Sequence, residues 1–158
     1  MRHADGLFAA LHHDSVTAFL PAPDVASLAE LRARIARLAR GAAPEGETWL
    51  NFVVKCEGVI AGRIEATSYG TWAEIAYLVG PAFQRQGLGR EAVRWLVERL
   101  HDAGCEDVWA CVHPDNARSI ALLAKLGFVQ RRETEHNLAS FDHGDLIFEH
   151  AIGGRPRS

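Results

Sequence analysis

The sequence predicts a mixed α/β domain of three layers, a central and mostly antiparallel sheet flanked by helices. Three observations carry that prediction. Hydrophobic periodicity is helical near the N-terminus, changes to a period of two at residue 49, and later alternates helix, strand and helix. The 158 residues suffice for one domain with a substantial core. Hydrophobic residues make up 48% of the chain and charged residues 23%, a globular balance.

Residues 5–11 read as a short helix with Leu7, Phe8, Ala10 and Leu11 on its apolar side. His12-His13-Asp14 could each ligate a metal, but neighbouring positions point in different directions and no partner cluster exists elsewhere, so no metal site is expected. Ser27-Leu28-Ala29-Glu30 is a capping box, and Leu28, Leu31, Ile35 and Leu38 form a helical stripe ending at Gly41. Arg32, Arg34, Arg37 and Arg40 cover much of the remaining surface of that helix and read as a solvated face. Residues 49–55 and 59–68 alternate as strands around the turn Glu57-Gly58. A third strand, residues 72–79, follows Tyr69-Gly70-Thr71, so the three make an antiparallel meander.

After this strand come the turn Gly80-Pro81, the loop Gln84-Arg85-Gln86-Gly87-Leu88-Gly89, and an amphipathic helix that buries Ala92, Val93, Leu96, Val97 and Leu100. A strand over residues 107–112 leads to a second loop-helix over 113–126, closed by Gly127 with Phe128 packing back. Residues 128–135 and 145–152 are read as final strands paired with each other, closing a single domain over residues 1–152. Residues 153–158 are read as a frayed polar tail.

The net charge is only −3 with no long basic run, so nucleic acid is not expected as a partner. Cys56, Cys105 and Cys111 are scattered, odd in number and without a C-x-x-C pair, which points to reduced thiols and a cytoplasmic protein. No apolar run approaches the ~20 residues a membrane span requires.

The glycine loop at residues 84–89 is the stretch with chemistry in it. A helix entry leaves its first N–H groups without intrahelical partners, the helix dipole adds positive charge, and Arg85 and Arg90 flank the loop. Phosphate or pyrophosphate suits such a site. A Walker loop needs Lys-Ser/Thr after its last glycine, whereas Gly89 is followed by Arg90-Glu91. Gly87 to Ala92 fits the dinucleotide fingerprint G-x-G-x-x-A, with Asp115 downstream as a possible ribose ligand, but a long gap separates the strand from the first glycine. The plain alternative is an ordinary glycine-rich helix entry.

The loop also resembles, position for position, the Q/R-x-x-G-x-G/A motif of the GNAT N-acetyltransferase superfamily. A second stretch supports this: Val112-His113-Pro114-Asp115-Asn116-Ala117-Arg118-Ser119-Ile120, running to Lys125-Leu126-Gly127-Phe128, is similar to that superfamily's V-x-P-x-N-x-x-[A/S]-I…K-L-G-F. The N-x-x-S variant and Glu74-Ile75-Ala76-Tyr77 are most similar to the ribosomal-protein N-terminal acetyltransferase branch. The resemblance covers about residues 49–128.

The resemblance implies acetyl transfer from acetyl-CoA to a primary amine by direct attack in a ternary complex. The acceptor it implies is a protein N-terminus, a polyamine or another small amine, and the protein would be a monomer or homodimer. It implies that the backbone of Tyr77, Leu78 and Val79 pairs with pantetheine and that the Val79 amide faces the thioester oxygen. Arg85, Gln86, Gly87, Leu88, Gly89 and Arg90 would hold the pyrophosphate. Asn116 would anchor the pantetheine arm, with Ser119 near the sulfur or phosphates. Glu74, on the strand presenting the thioester, is the first candidate for general base, ahead of Glu65 and His113. There are two departures from the family pattern. No room exists for a full strand before the first helix, and Leu123 stands where many relatives carry a tyrosine acid. Two readings of that position stand side by side: no acid is needed there, or Ser119, one turn earlier, serves directly or through a water. The rival readings are an acyl-CoA-binding module without catalysis and an NAD(P)-binding oxidoreductase.

Overall fold

A computed structural model describes residues 3–20, 27–41 and 43–151, so the 153–158 tail lies outside the described residues. Helix α1 (Ala4–Leu11), the short α2 (Asp14–Thr17) and α3 (Leu28–Ala39) precede strands β1 (Thr48–Cys56), β2 (Val59–Ser68) and β3 (Trp72–Val79). A 3-10 turn (Pro81–Phe83), α4 (Leu88–Asp102), β4 (Asp107–Val112), α5 (Ala117–Lys125), β5 (Val129–Arg131) and β6 (Leu146–Ala151) complete the chain. Among the described residues no strand precedes α1.

The six strands form one sheet in the order β1-β2-β3-β4-β6-β5. Every pairing is antiparallel except β3 with β4, which is parallel and confined to Trp72↔Asp107, Ala73↔Val108 and Glu74↔Trp109. Beyond Glu74 the two central strands part company. β3 continues on β2 to Val79↔Gly62, while β4 continues on β6 to Val112↔Leu146. The antiparallel meander feeding the glycine loop rules out the doubly wound parallel sheet that a dinucleotide site needs.

Each face of the sheet carries its own core. On one side α4 and α5 bury Val93, Leu96, Leu100 and Leu123 against Ile64, Ile75, Val108 and Phe148. On the other, α1, α2 and α3 bring Leu7, Leu11, Val16 and Leu31 onto Val53, Ile60 and Leu78. Ser27 caps α3 as expected, its Oγ accepting from the Glu30 amide at 3.1 Å. Gly127, at φ +87°, ends α5 and lets Phe128 turn back into the core.

One expected strand shortens: that over 128–135 stops at Arg131, and residues 132–145 form a long connection before β6. In the loop-helix expected over 113–126 the helix starts at Ala117, with Asn116 as its cap. Gly80 explains how α1 reaches the sheet: a Cβ there would stand 2.3 Å from the Ala10 carbonyl oxygen, so only glycine lets α1 lie against the end of β3.

His101 and His150 face each other with ring centroids 5.6 Å apart, and His101 Nε2 and His150 Nδ1 are buried without hydrogen-bond partners. Burial lowers both pKa values. For His101, the neighbouring His150 lowers it further while Asp102 and Glu98 pull upward; for His150, a backbone hydrogen bond opposes the burial. The unfolded chain therefore binds more protons in the window below the ordinary imidazole value of ~6.5. Stability is fully present above that value and falls as pH drops toward the folded values. We expect Tm to decline on acidification from pH 7.5 to 5.5 and the decline to flatten in a His101→Gln/His150→Gln variant. An equally steep decline in that variant would place the acid sensitivity elsewhere.

Candidate active site

The split between β3 and β4 opens into a groove of about 1120 Å³. Its floor is Tyr77, Leu78 and Val79, one end is the glycine loop, and one wall is the first turns of α5. The opposite wall, Ser15, Val16 and Phe19 from the α2 region, was not legible as part of a site, because nothing in a short apolar helix marks which groove it borders. Phe19 also stands 5.6 Å from the His113 ring, linking that wall to the loop before α5.

The sheet register decides which backbone groups face the groove. The Gly80 amide donates to the Ala61 carbonyl at 2.8 Å, so Gly80 points toward β2. In an antiparallel ladder alternate residues point opposite ways, so Val79 and Tyr77 turn their N–H and C=O groups toward the split. Leu78 turns its groups toward β2. Its carbonyl lies so close to Gly62 that a Cβ there would be 2.1 Å away. Of the three residues expected to pair with pantetheine, Tyr77 and Val79 turn their main chains to the split, and that of Leu78 belongs to the sheet.

The loop is held by one side chain that the sequence reading left out of the site. Gln84 donates through Nε2 to the Val79 carbonyl at 3.0 Å, and its Oε1 accepts from Arg118 on α5. Arg85 sits at φ +66° and Gly87 at φ +81°, which bends the chain back on itself ahead of α4. The first α4 bond runs from the Glu91 amide to the Gly87 carbonyl at 3.0 Å. The Leu88, Gly89 and Arg90 amides precede it, and all three residues line the groove. Gly89 is packed for its size: a Cβ would meet Leu122 Cδ1 at 3.1 Å. The Gln86 side chain donates through Nε2 to the Ala82 carbonyl at 3.2 Å and its Oε1 meets the Cys56 thiol, outside the groove lining.

On the α5 wall, Asn116 Oδ1 accepts from the Ser119 amide at 3.2 Å, which leaves its NH2 end as the part able to reach a ligand. Ser119 Oγ lies 2.5 Å from the Tyr77 hydroxyl. Burial pushes the Tyr77 phenol up to about 12, with the Ser119 hydrogen bond pulling the other way. Leu123 does not share Ser119's space: it is fully buried in the main core, so Ser119 meets Tyr77 from the facing strand instead.

Glu74 does not meet Ser119. Strand alternation puts it on the opposite face of β3 from Tyr77, where it borders a second depression of about 370 Å³ together with Arg34, Trp49, Glu65 and Tyr69. Its carboxylate is buried and accepts from the Ala139 amide at 2.7 Å, the Ser140 amide at 2.9 Å and the Ser140 hydroxyl. The expected base thus anchors the turn at residues 138–141, with three of its carboxylate's acceptor positions occupied. Of the weaker candidates, Glu65 is paired with Arg34 at 2.8 Å and Arg63 at 3.1 Å, while His113 Nδ1 accepts from the Asp115 amide at 3.2 Å. Among the described residues no three His, Cys, Asp or Glu side chains gather as a metal site, and no helix is long and apolar enough to span a membrane.

A mixed sheet split at its centre, with the amides of a helix entry at one end of the split, defines an α/β domain with an open strand edge and a helix entry in one groove. The chain matches the acetyltransferase (GNAT) domain family over residues 1–129, and it belongs to that family. The [ribosomal protein bS18]-alanine N-acetyltransferase of Escherichia coli (strain K12) is 35% identical over 94 residues, covering 55% of this chain and 60% of the relative. The chain thus aligns with less than two thirds of that relative's length. In fold it is similar to the microcin C7 self immunity acetyltransferase MccE solved with acetyl-CoA and AMP (TM-score 0.76, 19% identity, 96% of this chain and 88% of that one). It is also similar to the ribosomal-protein-alanine N-acetyltransferase from Brucella melitensis (TM-score 0.69, 19% identity, 96% and 95% covered).

For Glu74→Gln we expect a stability loss of about 1–3 kcal/mol, the penalty for leaving a buried donor unmatched, with no change in the shape of any pH–rate profile. Denaturant melts and rates over pH 6 to 9 check this. Loss of an acid limb without loss of stability would restore Glu74 as the base.

Proposed function

We propose that the protein is an acetyl-CoA-dependent N-acetyltransferase acting on primary amines, with the α-amino terminus of a protein as the acceptor class. The observation that carries the proposal is the convergence in one groove of the Val79 and Tyr77 main chains, the α4 entry amides and the Asn116–Ser119 turn. The α-amine class is supported by the relatives named for ribosomal-protein alanine acetylation.

The residues present fit acetyl-CoA, which would supply the thioester. Tyr77 and Val79 offer the exposed strand edge to which an extended pantetheine arm can add. The Val79 amide, its carbonyl steadied by Gln84, is the donor for an oxyanion developing at the thioester carbon. Leu88, Gly89 and Arg90 present main-chain N–H groups to the pyrophosphate, and Arg85 and Arg90 add charge. No side chain is needed as a base for an α-amine of pKa ~8, of which roughly a fifth is free base at pH 7.4. A lysine-type amine at ~10.4 would present far less than a hundredth.

Acetyl-CoA is expected to bind with micromolar affinity and to raise thermal stability, by about 2.7 kcal/mol at a hundredfold excess over Kd. Gly89→Val, which fills the helix entry, and Gly87→Val, which also strains a left-handed residue, should fold with lowered Tm and lose the acetyl-CoA shift. A full shift in both variants would remove the pyrophosphate assignment. Thiol release from acetyl-CoA with peptides bearing N-terminal alanine or serine, with polyamines and with aminoglycosides tests the acceptor class. Turnover on polyamines alone would overturn the α-amine reading, and acetyl-CoA binding without any thiol release would leave an acyl-CoA-binding module.

A further inference from the structure

We infer that Tyr77 is a positioning residue for Ser119, and that the two hydroxyls form a relay that hydrogen-bonds the departing thiolate without giving it a proton. The inference rests on the transferase reading above. It starts from the 2.5 Å contact between Tyr77 Oη and Ser119 Oγ, two side chains 42 positions apart in sequence that meet across the groove. Only one hydrogen lies between the two oxygens. A phenol is the stronger donor of the pair, so Tyr77 donates to Ser119, and the serine's own hydrogen is left to point elsewhere. The Ser119 backbone is already fixed by the Asn116 cap at 3.2 Å, so its hydroxyl can choose direction only by rotation. With Tyr77 occupying one lone pair, that rotation is biased toward the groove, and donation through a chain of hydroxyls strengthens the terminal bond.

The step balances as follows. The amine nitrogen attacks the thioester carbon, the C–N bond forms, and the carbonyl electron pair moves to the oxygen facing the Val79 amide. On collapse the C–S bond breaks and its electron pair stays on sulfur, where the Ser119 hydroxyl meets it. The proton lost from nitrogen goes to water. A thiolate whose conjugate acid has pKa ~8.5 leaves near neutrality without an acid. The phenol is held at about 12, and handing its proton to that thiolate would be uphill by roughly three and a half pK units, about 3,000-fold. Tyr77 therefore stays protonated through the working range. Among the described residues the charged side chains lining the same groove are Arg85, Arg90, Asp115, Arg118 and Lys125, and the hydrogen bond of the two hydroxyls is to each other.

The test is a double-mutant cycle with acetyl-CoA and an N-terminal alanine peptide. Ser119→Ala is expected to lower kcat about tenfold, below the usual general-acid range, and Tyr77→Phe about three- to tenfold. The double variant should fall no further than Ser119→Ala, because the phenol acts only through the serine. The KM for acetyl-CoA should stay within about twofold throughout, Ser119→Thr should recover most of the rate, and no alkaline fall in kcat should appear up to pH 10. A second readout needs no turnover. In a Tyr69→Phe background, Tyr77 is the remaining tyrosine, and its ultraviolet titration should move up on Ser119→Ala, because the serine hydroxyl that turns to donate to the ionised phenolate is gone. Multiplicative losses in the double variant, an unchanged kcat in Tyr77→Phe, or an alkaline limb that vanishes in Tyr77→Phe would each overturn the relay. A wild-type protein that binds acetyl-CoA and shows the titration shift but acetylates no amine would instead overturn the transferase reading on which the relay rests.

Discussion

The parallel pairing of β3 with β4 ends at Glu74↔Trp109, and the site depends on that ending. Had the ladder continued, the Tyr77 and Val79 main chains would be satisfied by β4 and no ligand could add there. Instead β4 takes all of its further partners from β6, and β3 keeps β2 as its one neighbour. Unpaired strand edges are normally a liability that proteins cover. Here the edge lies at the bottom of a groove, walled by α5 on one side and by the α2 region on the other, so it is open to a small extended ligand and closed to another sheet.

The same strand serves two cavities through strict alternation. Tyr77 looks toward α4 and α5, whereas Glu74, Ala76 and Leu78 look toward the layer of α1 and α3. The depression beside Glu74 therefore shares none of its lining residues with the main groove. Its acidic groups are already engaged, Glu74 by the 138–141 turn and Glu65 by two arginines.

Much of this was legible in the sequence, and the reasons differ by feature. The meander, the capping box, the glycine loop and the Asn116–Ser119 turn depend on residues close in sequence, where periodicity and capping chemistry speak directly. The roles of Glu74, Gln84 and Tyr77 depend on partners far away: residues 139 and 140 for the first, Arg118 for the second and Ser119 for the third. No local pattern encodes such meetings. Alternation did put Glu74 opposite Tyr77, but not the turn that occupies its carboxylate. The early stop of β5 was hidden for a similar reason, since its end is set by the distant partner β6, whose pairing with it stops at Arg131↔Ile147.

Gln84 has a consequence for how this sequence can change. It donates to the Val79 carbonyl and accepts from Arg118 at the same moment, which an amide can do and a guanidinium cannot. The family motif admits arginine at this position, but an arginine here would face Arg118 with two cations and no acceptor between them. The substitution is therefore open only to a chain that has first exchanged residue 118, on a different helix and 34 positions away. Drift at the two sites is bound together, and homologues should show them changing as a pair.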